Sequence, residues 1–131
     1  MSSAQASVLV DLLRDERATT LTIGRSRTPS AVAVASSVID LWTLAGGRVV
    51  DVVSWERGTS RWADHAQRMV RSAPDAWVVV DSSAGWNRLV AHLTYTLGWD
   101  ATRTFAAVPA LAPTTDLGLR TVDRGGSVHV G

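Results

Sequence analysis

The chain has 131 residues, the length of one domain, and its 46% hydrophobic and 19% charged residues are the balance of an ordinary globular protein. A net charge of +1 supplies no field that would draw it onto nucleic acid or an anionic membrane, and no window approaches the roughly 20 apolar residues of a spanning helix. Cysteine is absent and all 13 basic residues are arginine, which removes disulfides, thiolate chemistry, Schiff-base lysines and the phosphate-loop lysine.

The opening MSSAQASVLVDLLRDER lacks the basic start and long apolar core of a secretory signal, so the expected compartment is the cytoplasm. Val8, Leu9, Leu12 and Leu13 recur at helical spacing. Residues 19–23 read as a short strand ending at Gly24, and GRSRTPS reads as the loop after it, with Ser30 as a helix cap. Residues 31–45 form an apolar helix with a stripe of Val34, Val38, Leu41 and Trp42, expected to be covered on two faces, by a second copy or another domain. Gly46-Gly47 ends it, and residues 48–53 make a second strand followed by the loop SWERGTS. The next helix runs to about Ser72 and turns Trp62, Ala66, Met69 and Ala73 to one side. Residues 76–80, an unbroken apolar run, predict a strand covered on both faces. A helix over 84–97 places Trp86, Leu89, Val90, Leu93 and Leu97 inward, and 104–108 is a fourth strand. After Pro109 a loop is expected, and the segments 119–122 and 128–130 flank DRGG as an edge hairpin or a poorly ordered tail of a single domain.

Strands that alternate with helices at this spacing specify an α/β three-layer sandwich, a mostly parallel sheet of Rossmann or flavodoxin-like topology. Ligands of such sheets sit beyond the carboxyl ends of the strands. Those ends carry Arg25, Ser26, Arg27 and Ser30, then Trp55 and Glu56, then Asp81 and Ser82. Guanidinium groups beside a helix start suit a carboxylate or phosphate, although a solvated polar loop looks the same in sequence. Asp81 stands where a phosphorylated aspartate would, but the lysine and acidic partners of that chemistry are missing, so it reads as a ligand contact, a helix cap, or both. Trp55 is placed in a strand-end loop, where an aromatic ring closes over a small molecule. His65, His92 and His129 have no metal-ligand spacing, and no GxSxG elbow supports a nucleophilic triad. No cofactor is implied.

The run from Gly46-Gly47 through Val49 to Val53, Gly58-Thr59, Pro74-Asp75-Ala76 and Leu97-Gly98 resembles one lobe of a type I periplasmic binding protein, in particular the branched-chain amino-acid receptor group. The resemblance covers residues 19–108 and implies a ligand held at the strand-end loops, with 25–30, 54–56 and 81–83 on the cleft side. A single lobe cannot close on a ligand. The expectation is therefore a non-catalytic domain for sensing or protein interaction, with a small polar, amino-acid-like metabolite or a protein as partner, and a homo-oligomer as one way to supply a second wall. Two other classes stay open: a small flavodoxin-like enzyme or cofactor carrier, and a structural component that assembles through the apolar helix.

Overall fold

The computed structural model describes residues 3–107, 120–123 and 127–130. The chain runs α1 (Ser3–Asp15), β1 (Thr20–Ser26), α2 (Pro29–Leu44), β2 (Arg48–Trp55), α3 (Trp62–Val70), β3 (Ala76–Val80), α4 (Ser83–Leu93), a single 3-10 turn (Ala101–Arg103), β4 (Thr104–Ala107), β5 (Arg120–Val122) and β6 (Val128–Val130). The sheet order is β2-β1-β3-β4-β5-β6; the first five strands are parallel and β6 closes the edge antiparallel to β5. This is the expected α/β sandwich, in the order of doubly wound flavodoxin-like sheets. The loop predicted after Pro109, marked by Pro113 to Gly118, lies outside the described residues.

The strand period of two divides the core. In β3, Ala76, Val78 and Val80 face α1 and α2, while Trp77 and Val79 face α3 and α4, and every residue of the strand is buried. One irregularity sets the phase of β2. Leu21 pairs with Val49 but Thr22 pairs with Asp51, so Val50 is an extra residue. Without this bulge Val49, Val53 and Trp55 would share a face; with it Val49 packs on the first layer, and Val53 and Trp55 pack in the second.

The apolar α2 is covered on two sides, by the sheet and by α1. Its cap is Thr28 rather than Ser30: Thr28 Oγ1 accepts from the Ala31 N–H at 3.4 Å, and Pro29 takes the first turn. Helix α4 stops at Leu93, four residues short of expectation, so Leu97 is 94% exposed rather than inward. The hydroxyls of Thr94 and Thr96 donate to the Ala91 and His92 carbonyls and take over the helix end. Ala73, expected on the apolar face of α3, lies beyond its end at a φ of 45° and is exposed.

At the opposite edge from the strand-end loops, Asp75 clamps the start of β1. Its Oδ2 accepts from the Thr19 hydroxyl at 2.6 Å and from the Thr19 and Thr20 N–H groups at 2.8 and 3.1 Å. The Thr19 hydroxyl first, then these N–H groups, pull the carboxyl from 3.8 down to about 2. A carboxyl held low in the folded state stabilises the fold above its unfolded pKa, and that stability is lost as pH falls from about 4 towards 2. Urea unfolding at pH 7, 4 and 2.5 is therefore expected to show a steeper loss of stability for the natural chain than for Asp75→Asn. Equal slopes would mean that the clamp does not hold in solution.

Candidate functional site

Strands β1, β2 and β3 end side by side at Ser26, Trp55 and Val80. The chain leaves β1 into α2 on one face of the sheet and leaves β3 into α4 on the other. The direction of strand progression reverses between β1 and β3, the switch point beyond whose carboxyl ends doubly wound sheets open a crevice.

Arg25 and Ser26 are strand residues and not loop residues, because β1 continues through Gly24 with β2 and β3 paired on its two sides. Arg25 is level with Val80 of β3 and projects on the α1–α2 side. It is half-buried, its guanidinium donates to the Ser26 carbonyl at 3.2 Å, and it forms no ion pair among the described residues. Ser26 is buried, with its hydroxyl 3.0 Å from that of Thr28. Arg27 turns the other way. It reaches Ser54 Oγ and Glu56 Oε1, both at 3.3 Å, and this exposed cluster belongs to the end of β2. Ser30 is exposed in the first turn of α2.

Trp55 corrects the sequence reading most. It is the last residue of β2, 1% exposed, and part of the core under α3 and α4. Its indole N–H reaches across the end of β1 and donates to Asp81 Oδ2 at 2.9 Å. Trp62 meets the ring edge-on at 5.4 Å and His65 lies 5.6 Å away. Asp81 is half-buried, and its other oxygen accepts from the Ser82 N–H at 2.7 Å. The cap of α4 is Ser82, whose Oγ accepts from the Gly85 N–H at 3.2 Å, which leaves Asp81 directed at Trp55 and the crevice.

Two glycines, one of them read from the sequence as the end of β1, make this bond fit. A Cβ on Gly24 would stand 2.9 Å from Trp55 Cη2 and 2.7 Å from Met69 Sδ, so the bare backbone is the bed on which the indole crosses β1. A Cβ on Gly85 would stand 1.9 Å from Asp81 Oδ2. A glycine inside a strand and one in a first helical turn were the signals available for a close approach.

His65 Nε2 lies 3.1 Å from the Thr59 hydroxyl. Burial, then the Arg61 charge, lowers its pKa below 6.5, against the opposing pull of Asp64. Asp64 bonds to Arg61 at 3.0 Å, and among the described residues no carboxylate is hydrogen-bonded to the imidazole. No group of three or more His, Asp or Glu side chains among the described residues is placed to hold a metal ion, and no described helix is long and apolar enough to cross a membrane. What the crevice offers is a half-buried guanidinium and a half-buried carboxylate on neighbouring strand ends, one on each side of the sheet.

Neither a protein-family model nor a curated protein matches the sequence. Solved structures do. A periplasmic ligand-binding protein of a branched-chain amino-acid ABC transporter from Burkholderia xenovorans LB400 superposes with a TM-score of 0.72 at 11% identity over 82% of this chain and 28% of that one. A leucine-binding protein from Thermotoga maritima MSB8 gives 0.67 at 14% identity over 82% and 30%. A solute-binding protein from Rhodopseudomonas palustris BisB5, solved with 3,4-dihydroxybenzoic acid, gives 0.66 at 18% identity over 82% and 30%. The chain spans under a third of the length of these proteins. The shared property is the fold: this chain has the architecture of one lobe of the type I periplasmic-binding-protein fold.

Proposed function

We propose that the chain is a non-catalytic binding domain that takes a small carboxylate-bearing metabolite, amino-acid-like in character, in the crevice over β1 and β3. The observation that carries this is the pairing of Arg25 and Asp81 on adjacent strand ends, with Arg25 unneutralised by any acidic side chain among the described residues. A guanidinium binds a carboxylate through two parallel hydrogen bonds. Asp81 has spare lone pairs beyond those facing Trp55 and Ser82, and these suit an ammonium group. The fold supports the reading. One structural neighbour is a leucine-binding protein and two others hold hydroxylated benzoates, and all of these ligands carry a carboxylate.

The test is thermal unfolding against amino acids and hydroxybenzoates. A ligand at 100 times its dissociation constant adds about 2.7 kcal/mol of stability. For a domain near this size that raises the midpoint by roughly 5–15 °C. Arg25→Gln is expected to weaken every carboxylate roughly 10- to 100-fold, the worth of a charged hydrogen bond. Asp81→Asn is expected to weaken amino acids alone and leave benzoates unchanged. A flat response to the whole panel, or an undiminished shift in Arg25→Gln, would refute the reading.

A further inference from the structure

Arg25 and Arg27 are next-but-one neighbours, yet among the described residues only Arg27 has an anionic partner. Two carboxylates border Arg25 at the strand ends. Asp81 follows Val80, the β3 residue that pairs with Arg25. Glu56 lies two residues beyond Ser54, the β2 residue that pairs with Arg25. One strand across and two residues along is about 8 Å between backbones, within the joint reach of an arginine and a glutamate. Neither carboxylate is bonded to Arg25. Asp81 is held by the Trp55 indole and the Ser82 N–H. Glu56 is held by the Arg27 guanidinium at 3.3 Å.

Its own backbone fixes Arg27 in that place. The Arg27 N–H donates to the Trp55 carbonyl at 3.0 Å, and its Nε donates to Ser54 Oγ at 3.3 Å. Together with the Glu56 contact, these bonds lay Arg27 along three successive residues at the end of β2. The two side chains of the ion pair are 55% and 78% exposed, so the pair adds little to stability. Its consequence is where it keeps Glu56. Released from Arg27, Glu56 has a half-buried guanidinium within reach. We propose that Arg27 is a positioning residue: by holding Glu56 it keeps Arg25 open to the carboxylate of a ligand. This rests on the reading of the crevice given above, and Arg27 acts through Glu56, not by touching the ligand.

Two measurements test this, with thermal midpoints as the control for folding. The first needs no ligand. The Nε–H signal of Arg25, in NMR spectra of the nitrogen-labelled chain, responds to a carboxylate partner. It is expected to hold its position in Glu56→Gln and in the double variant Arg27→Gln, Glu56→Gln, and to move in Arg27→Gln alone. The second is calorimetric titration with leucine and with 3,4-dihydroxybenzoate. Arg27→Gln is expected to weaken both roughly 3- to 6-fold, the competition that a partly exposed ion pair supplies. Glu56→Gln and the double variant bind as the natural chain does. So does Arg27→Lys, which keeps a positive charge beside Glu56. A long-range field would act additively, so that Glu56→Gln tightened binding as much as Arg27→Gln loosened it. That result overturns the proposal. An Arg25 signal that stays in place in Arg27→Gln overturns it as well, since Glu56 then turns to Arg57 or to water. If the natural chain binds neither probe, or binds both undiminished in Arg25→Gln, the crevice reading is what fails, and the Arg25 signal still decides whether Arg27 keeps Glu56 away.

Discussion

Trp55→Ala is expected to lower the stability of the domain by about 3–5 kcal/mol, which for this chain length moves the thermal midpoint down by roughly 10–20 °C. Three losses combine. The ring is 1% exposed and lies in the second core cluster, so its removal opens a cavity between β1, β2 and α3. The edge-on contact with Trp62 disappears. Asp81 loses the donor that holds its Oδ2. Trp55→Phe separates these contributions, since it retains most of the volume and discards the N–H; it is expected to cost about 1–2 kcal/mol. Urea titrations followed by circular dichroism measure both. A Trp55→Ala chain as stable as the natural one would mean that the indole is not packed as described. The same burial changes what Trp55 can be for a ligand. At 1% exposure the ring offers almost no surface of its own, and it steadies the Asp81 carboxylate.

Gly47→Ala is the second large effect, about 2–3 kcal/mol of destabilisation from a single methyl group. An added Cβ would stand 2.0 Å from Trp42 Cε2, with two more ring atoms within 2.5 Å. The ring cannot yield easily, because Trp42 is 2% exposed and its N–H donates to the Arg48 carbonyl at 3.2 Å. Gly46 next door is the control. Its φ is +90° and nothing lies within 4 Å of its would-be Cβ, so Gly46→Ala costs only the left-handed backbone, about 1–2 kcal/mol. Thermal melts of the two variants are expected to rank Gly47→Ala as the less stable. The reverse order would show that backbone conformation outweighs the packing of Trp42.

The α/β class, the strand positions and the end of the sheet that carries the candidate site were legible because they rest on local signals: apolar runs, their period and the punctuation of Gly and Pro. What was not legible depended on neighbours distant in sequence. Strand β1 was expected to stop at Gly24, since a glycine followed by Arg-Ser-Arg reads as a turn; it continues to Ser26 because β2 and β3 supply hydrogen bonds on both sides. Trp55 was assigned to a loop by the same polar surroundings, while its place in the core depends on the gap at Gly24 and on Asp81, 26 residues away. Leu97 continued the apolar spacing of α4, and two threonine hydroxyls ended the helix before it. The separation of Arg25 from Arg27 could not be read from adjacency; only Glu56 and Ser54 at the end of β2 draw Arg27 aside.

The order of strands also bears on how the sheet is assembled as the chain is made. In chain order β1 and β2 come first, joined by α2, and β3 pairs with the free side of β1. β4 joins the free side of β3, and β5 the free side of β4. No strand has to be inserted between two that are already hydrogen-bonded, so each crossover adds to a growing margin and no earlier pairing is broken. Growth in one direction leaves a sticky margin at every step, the hazard of parallel sheets during synthesis. β6 joins the free side of β5 in the opposite direction.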